Sequence, residues 1–384
     1  MSLSDLNINF MGRRKIVGAL SIAFVVISLI ELAINGLNLG MDFTGGTQIK
    51  LGYETTADIQ QIRDVLEEQA LRDAVVVYFG AETEILIRFQ GSLESVAVER
   101  ITERLAAIDP EAEILSVTQG GNEHAATVTV SSNEDLSSKI TDIFPADFFV
   151  DTTVRKERNG DTVFMLENAL DLWVSESVNA ELSAAAGSTV EWKGSDFVDS
   201  QVGSEMFENA VIGLLVALGI VMLYVALRFQ FKFSVGAVAA LAHDVIVVLG
   251  FFALFNLDFD LTVFAAVLAV IGYSLNDTIV VSDRIRENFR KMRKGSSVEI
   301  INASLNQTLG RTLMTSLTTL IVLFALFFFG GEVIHGFALA LLIGVTAGTY
   351  SSIYVAANVM LVMKVDKEDL MVPVKEGAEL DELP

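Results

Sequence analysis

Six long apolar runs dominate the pattern of hydrophobic and polar positions along the chain. A helix that spans a bilayer needs about 20 mostly apolar residues, and none of the six runs contains a proline. The runs cover residues 16–34, 208–227, 234–255, 261–282, 312–330 and 335–361. The pattern therefore predicts an α-helical integral membrane protein with transmembrane helix 1 at 16–34 and helices 2 to 6 within 208–363.

Between helix 1 and helix 2, residues 35–207 have a mixed pattern of short strands and amphipathic helices. The order strand, helix, strand, strand, helix, strand occurs twice, which is typical of a ferredoxin-like α+β fold. The first unit has predicted strands at 47–51, 74–79, 84–89 and 112–117 and helices at 58–71 and 93–108. The second has strands at 126–130, 150–155, 162–166 and 189–193 and helices at 133–143 and 169–186. We predict an α+β domain with duplicated repeats at 47–120 and 125–195.

Composition and loop charge add the cellular context. The hydrophobic fraction of 52% and the mean hydropathy of +0.51 exceed those of ordinary soluble domains. Lys and Arg concentrate before helix 1, between helices 2 and 3, after helix 4 and after helix 6, and they are absent near 256–260 and 331–334. Because positive residues stay on the cytoplasmic side, we expect an inner-membrane protein with a cytoplasmic N-terminus (1–15), a 35–207 domain outside the cytoplasm and a disordered, acidic cytoplasmic tail (364–384).

The first apolar run could also be a cleaved signal peptide. No small-x-small cleavage site follows it, and five more spans come later in the chain. We therefore interpret it as an uncleaved membrane anchor.

Charge and residue usage exclude several classes of function. Of the 49 acidic residues, 31 lie between 35 and 207, against 11 Lys or Arg. Such a surface repels phosphate backbones, so we expect no nucleic-acid partner. The chain has no cysteine and only three scattered histidines, so we expect no metal site and no cofactor. Neither an HExxH motif nor a GxSxG motif is present, and we expect no enzymatic activity.

Ionisable residues within the predicted spans are the candidate functional groups, because a charge at that depth costs about 2.5–3.5 kcal/mol by insertion scales. His243 and Asp244 lie near the middle of helix 3, and Asp277 lies in helix 4 close to Tyr273 and Asn276. Helical spacing puts Tyr273 and Asp277 on one face, which cannot face lipid. That face must meet another helix or a wet cavity.

Arg311 opens helix 5 in an unusually polar run. One interpretation is a positive anchor whose long side chain reaches the membrane surface. The other is a partner for Asp277 at similar depth on the preceding helix. A buried Asp–Arg pair that opens and closes would serve as a proton carrier's switch.

Small residues recur every four positions along helix 6 and form one stripe. The stripe contains Gly336, Ala340, Gly344, Gly348 and Ser352. Small side chains in this register let two helix backbones approach closely. We favour a contact within the chain over a contact with a partner protein.

Four segments together carry a specific resemblance. They are 40–47 after helix 1, with Asp42, Phe43, Gly45 and Gly46; 240–244 in helix 3; 272–288 in helix 4; and 307–312 at the start of helix 5. In these segments the chain resembles the SecF family of bacterial protein-export membrane proteins, within the resistance-nodulation-division superfamily.

The resemblance implies an accessory subunit of the Sec protein translocase that uses the proton-motive force to promote preprotein export. It also implies a complex with SecD, contact with SecYEG and with YajC and YidC, and an unfolded preprotein as substrate. Asp277 and Arg311 match the family's proton-pathway positions. The alternative is half of a proton-driven exporter of small molecules or lipids from the same superfamily, which would need a substrate pocket and a second six-helix half.

Overall fold

The structure, a computed structural model, describes residues 8–69, 71, 74–119, 125–292 and 294–366. The chain divides into two compact units. The membrane unit comprises Met1–Gly40 with Met206–Pro384, and the α+β unit comprises Met41–Glu205. The first seven residues of the predicted N-terminal segment and the predicted tail from 367 onward lie outside the described residues.

Six helices in the described residues are long and apolar enough to cross a membrane. With elements numbered in chain order, they are α1 (Arg14–Ile34), α7 (Ser200–Arg228), α8 (Phe231–Leu254), α9 (Leu261–Lys291), α10 (Ser297–Phe329) and α11 (Glu332–Val362). The predicted six-helix membrane architecture is confirmed.

Several of these helices extend beyond their apolar runs, because capping residues, not hydropathy, set where a helix begins. α10 starts 15 residues before the predicted 312. Its first residue follows Ser296, whose hydroxyl accepts a hydrogen bond from the Glu299 N–H, while the Glu299 carboxylate accepts one from the Ser296 N–H. This reciprocal capping box satisfies two backbone donors that would otherwise lack partners.

Within the membrane unit, α8, α9 and α11 pack against one another and hold most of its buried residues. α1 packs on α8, and α10 packs on α9 and α11. Two short strands, β1 (Asn38–Leu39) and β10 (Asp258–Phe259), pair in parallel between the end of α1 and the start of α9. The three central helices therefore provide the dry interior in which polar groups must find partners.

The α+β unit consists of short helices and two four-stranded sheets. Its elements are α2 (Met41–Thr44), β2 (Gly46–Gly52), α3 (Ile59–Glu68), β3 (Val75–Phe79), β4 (Ala81–Phe89), α4 (Leu93–Ile108), β5 (Glu113–Gln119), β6 (Ala126–Ser131), α5 (Ile140–Ile143), β7 (Thr153–Lys156), β8 (Thr162–Leu166), α6 (Leu170–Ala186) and β9 (Glu191–Val198). The predicted α+β character of this region is confirmed.

The two sheets exchange their final strands. One sheet has the order β3-β4-β2-β9 and the other has the order β5-β6-β8-β7. Each order matches a four-stranded ferredoxin-like sheet, but β5, the last strand of the first predicted repeat, pairs with β6 of the second. β9 corresponds to the last predicted strand of the second repeat and pairs with β2 of the first. The two repeats are therefore interleaved, and one hydrophobic core includes residues from both sheets.

The predicted helix at 133–143 is largely absent. The structure has a 3₁₀ turn at Leu136–Ser138 and only the four-residue α5. Lys139, with φ −114° and ψ 22°, interrupts the helical backbone between them. Leu136 and Ile143 are nevertheless buried. The apolar residues of this segment therefore pack in the core without forming a continuous helix.

Candidate functional site: polar residues of the membrane helices

Asp277 lies in the middle of α9 and is only 3% exposed. Its Oδ2 atom is buried and has no hydrogen-bond partner among the described residues, and the same holds for the hydroxyls of Thr278 and Thr312. Tyr273 donates a hydrogen bond across to Ser316 Oγ on α10, at 3.4 Å. Because α9 and α10 run antiparallel, Asp277, one turn after Tyr273, lies at the level of Thr312, one turn before Ser316. This layer between α9 and α10 is polar and incompletely satisfied.

Arg311 lies on the exposed side of α10, next to Thr312 in the chain. In the described residues its guanidinium does not come within the 4.0 Å of a carboxylate oxygen that defines an ion pair. Arg311 adjoins Thr312, which lies at the level of Asp277. The two groups are therefore near each other but separate, with the carboxyl buried and the guanidinium exposed.

Asp244 forms a second polar centre, in which the carboxyl is completely buried on α8. Its Oδ2 atom accepts hydrogen bonds from Ser274 on α9, at 2.5 Å, and from Ser351 on α11, at 2.7 Å. Its Oδ1 atom lies 2.9 Å from Nδ1 of His243. One carboxyl group thus connects the three central helices of the membrane unit.

Hydroxyl groups extend this network to α1 and α10. Ser316 on α10 and Thr349 on α11 are 2.6 Å apart. The Tyr350 hydroxyl on α11 lies 2.6 Å from Ser21 Oγ on α1 and donates to the Val17 carbonyl at 3.0 Å. Polar contacts therefore join α11 to each of α1, α8 and α10.

The small-residue stripe of α11 faces α9. A Cβ atom added to Gly344 would lie 2.1 Å from Val270 Cγ2, and one added to Gly348 would lie 3.0 Å from Ser274 Cβ. A Cβ on Gly336 would meet Val263 Cγ2 at 2.9 Å. At Gly336 and Gly344 the two helices are so close that a Cβ fits only if the neighbouring valine moves.

The Gly-Gly motif lies in the α+β unit, between α2 and β2. Gly45 has a φ of +72°, and a Cβ there would lie 2.5 Å from the Ser200 Cα. Gly46 has a φ of +116°, and a Cβ there would lie 2.5 Å from the Phe89 carbonyl oxygen. A Cβ on Gly203 would lie 2.8 Å from the Gly45 backbone nitrogen. The motif is thus a tight turn against which the first residues of α7 pack.

Comparison with known proteins identifies the family. Residues 177–366 match the model of the SecD/SecF C-terminal region of protein-export membrane proteins, and residues 32–57 match the SecD/SecF GG motif. The protein translocase subunit SecF of Vibrio alginolyticus is 39% identical over 383 residues, which cover 99% of this chain and 98% of that protein. The chain belongs to the SecF family. The SecF of Pseudomonas aeruginosa is 38% identical, with 97% of each chain covered.

Solved structures of SecDF agree with the SecF assignment. The crystal structure of SecDF, a translocon-associated membrane protein from Thermus thermophilus, matches with a TM-score of 0.64 and 31% identity over 95% of this chain. SecDF in its super-membrane-facing form matches with a TM-score of 0.50 and 32% identity, again over 95% of this chain. The chain spans 40% of the length of each SecDF chain.

The SecF fold brings some of the predicted site residues together and leaves others apart. Asp277 and Tyr273 share the α9–α10 face, and His243 and Asp244 share the neighbouring centre. Asn276 lies on the exposed side of α9, and its side chain makes no hydrogen bond within the described part of the chain. Asn276 is therefore outside both polar centres.

Sequence reasoning missed the serines that satisfy Asp244. Ser274 and Ser351 are common, small and uncharged, so hydropathy does not single them out in a SecF sequence. The sequence did hold a signal for these two serines, namely their position next to predicted features. Ser274 lies one helical turn before Asp277, and Ser351 lies next to Ser352, a member of the predicted stripe. Their pairing with one carboxyl depends on helix packing, which the sequence pattern does not specify.

Proposed function

We propose that this chain pairs with SecD in the Sec translocase and uses the proton-motive force to promote preprotein export. The observation that carries the proposal is the Asp277 carboxyl, which is buried in a membrane helix with one oxygen lacking a hydrogen-bond partner. A buried charge without a partner is costly. A proton or an approaching guanidinium could neutralise the Asp277 carboxylate, and each would stabilise a different arrangement of α9 and α10.

The exchange between these arrangements would couple the proton gradient to movement. Protonated Asp277 needs no cationic partner, whereas ionised Asp277 would attract Arg311 from the exposed side of α10. Moving one charge through 100 mV yields about 2.3 kcal/mol. That energy would favour one packing of α9 against α10 over the other. The change in packing would in turn move the segments that are joined to these two helices.

The proposed partners follow from the family and from the exposed faces. Asn276 on α9 and Arg311 on α10 are exposed, and a SecD helix would cover them. Contacts with SecYEG, YajC and YidC, and with unfolded preprotein, belong to the same proposal. In the solved SecDF structure, this chain matches 40% of a longer chain.

The proposed orientation has both termini in the cytoplasm and the α+β unit in the periplasm. The chain has no cysteine, so single cysteines report without background. A cysteine at Ser132 should react with an impermeant maleimide added outside the cell. A cysteine at Ser296 should react only after the membrane is permeabilised, which gives the reagent access to the cytoplasmic face. Labelling of position 296 from outside would refute this orientation.

The central test is preprotein export into inverted membrane vesicles, with and without an imposed proton gradient. Asp277→Asn keeps the size of the side chain but removes the titratable proton, so it should abolish the gradient-dependent increment while assembly with SecD remains normal. Asp283→Asn is the matched control, because Asp283 lies on the same helix in an exposed ion pair with Arg228. Retention of the full increment in Asp277→Asn would overturn the proposal and direct attention to Asp244.

A further inference from the structure

A cleft of about 530 Å³ lies in the α+β unit, between α4 and α6. Its floor is Trp173, which is 4% exposed and is covered by two guanidinium groups. The Cζ atoms of Arg100 and Arg104 lie 5.6 and 5.4 Å from the Trp173 ring centroid. Pro145 and Phe148 form part of the wall. The volume falls in the range of ligand-binding clefts, about 300–1,000 Å³.

The two guanidinium groups have spare hydrogen-bonding capacity. Arg100 donates to Ser177 Oγ at 2.7 Å and to the Gln69 carbonyl at 2.9 Å, and Arg104 donates to the Ile143 carbonyl at 3.2 Å. Each guanidinium carries five N–H donors. Within the described residues neither forms an ion pair within 4.0 Å, although carboxylates line the same cleft. Each guanidinium therefore has N–H groups that do not donate to the described residues.

Burial also affects Arg100 directly, since it lowers the pKa of the guanidinium, and the nearby Glu181 and Glu103 oppose that change. An arginine nonetheless keeps its charge at any physiological pH. The guanidinium groups that cover Trp173 thus make the floor of the cleft cationic, and their N–H groups are suited to binding carbonyl oxygens.

The rim of the cleft has the opposite charge. It includes five carboxylates, from Glu68, Glu103, Asp147, Glu176 and Glu181. These carboxylates repel phosphates, anionic lipids and nucleic acids, and they attract lysine and arginine side chains. The arrangement fits a ligand that has carbonyl oxygens along its length together with basic and apolar side groups.

We propose that this cleft binds an extended segment of polypeptide that carries apolar and basic side chains, as an unfolded preprotein presents. Arg100 and Arg104 donate to its backbone carbonyls, as they already do to Gln69 and Ile143. Phe148 contacts its apolar side chains, and the rim carboxylates bind its lysines and arginines. The inference rests on the proposed export function and names the surface that receives the exported chain.

The first test uses the tryptophan at the floor of the cleft as a reporter. The chain has two tryptophans, so Trp192→Phe leaves Trp173 as the only one. The purified full chain in detergent is titrated with a synthetic 12-residue peptide of Leu, Phe, Gly and Lys, and with a matched peptide in which Glu replaces Lys. The lysine peptide should change the Trp173 emission saturably. The glutamate peptide should bind at least about tenfold more weakly, and equal binding of the two peptides would overturn the proposal.

Variants locate the binding. Arg104→Gln should weaken the lysine peptide about tenfold, because a hydrogen bond from a charged donor is lost. Arg155→Gln, an exposed arginine on β7 outside the cleft, should leave binding unchanged. The double variant Glu176→Gln/Glu181→Gln should weaken binding about fivefold and remove most of its salt dependence. Both glutamates are exposed, so folding is preserved even if Arg104→Gln lowers stability.

These measurements are independent of the proton gradient. Asp277→Asn should bind the lysine peptide like the wild type, even though it should lose gradient-dependent export. Unchanged affinity in both the Arg104→Gln and the double glutamate variants would refute the cleft while leaving the export proposal intact. A failed vesicle experiment with normal, cleft-dependent peptide binding would refute only the proton-coupled role.

Discussion

Ser351 on α11 donates a hydrogen bond of 2.7 Å to Asp244 on α8, and both residues are completely buried. Ser274 on α9 donates to the same carboxylate oxygen. Three helices therefore meet at one carboxyl group, one turn from the layer that contains Asp277. A buried carboxyl needs such donors, so these serines fix the rotation of α9 and α11 about their axes.

Removing one donor should destabilise the membrane unit. We expect Ser351→Ala to lower the free energy of unfolding by about 1–3 kcal/mol, because the buried carboxyl oxygen loses one of its donors. The control is Ser352→Ala, since the neighbouring Ser352 is equally buried but donates to Thr349 of its own helix. Denaturant unfolding in detergent measures both. Equal losses would show that the contact with Asp244 has no special weight.

Close packing of α11 on α9 predicts a steric defect that a second substitution relieves. Gly344→Ala places a methyl group 2.1 Å from Val270 Cγ2, and overpacking of this kind costs about 1–3 kcal/mol. Val270→Ala should recover part of that loss when combined with Gly344→Ala. Gly219→Ala on α7, where a Cβ meets nothing within 4 Å, should be neutral. Additive losses in the double variant would contradict the proposed contact.

The Gly-Gly turn predicts a difference between two glycines with similar backbones. Gly45 and Gly187 have φ values of +72° and +63°, but a Cβ on Gly45 would lie 2.5 Å from the Ser200 Cα, whereas one on Gly187 meets nothing within 4 Å. Both changes to alanine carry the backbone cost of a positive φ, about 1 kcal/mol. Only Gly45→Ala should add a steric cost and expose the start of α7 to limited proteolysis. Matching proteolysis rates would refute the close approach.

Acid should destabilise the α+β unit through Asp109. Its carboxylate accepts hydrogen bonds from Ser132 Oγ and from the N–H groups of Glu111 and Asn133. These bonds, that of Ser132 first, lower the pKa of Asp109 below its ordinary value of 3.8. Because the folded pKa is the lower one, this stabilisation is present above the ordinary value and is lost as the pH falls through the folded pKa.

The corresponding measurement is thermal unfolding, followed by circular dichroism from about pH 6 down to about pH 3. Asp109→Asn should unfold at a lower temperature than wild type at pH 6, and the two proteins should converge toward pH 3. Asp151→Asn, at an exposed position, should follow the wild-type curve throughout. A constant difference in unfolding temperature between Asp109→Asn and wild type across this range would show that the charge of the Asp109 carboxylate does not contribute to stability.

Local pattern predicted most of the elements but not their partners. The alternation of apolar residues located β5 and β9 within a few residues, because each strand has one face in the core. It could not show that β5 pairs with β6 and β9 with β2, since the same alternation suits either sheet. The segment 133–143 was predicted as a helix because its apolar spacing permits one, and tertiary packing instead buried Leu136 and Ile143 from a broken turn.

The sequence by itself determined the six membrane helices, the intervening α+β domain, the family and the presence of costly polar groups at Asp244 and Asp277. These features depend on residue type and spacing, because whether a segment partitions into water or lipid is decided by its own residues and not by distant parts of the chain. Only the tertiary structure decided that Asp244 is satisfied by Ser274 and Ser351, that Asp277 keeps an unpartnered oxygen, and that Arg311 faces outward. Each of these outcomes depends on how far a helix is rotated about its axis, and that rotation is set by the summed packing of residues from several helices.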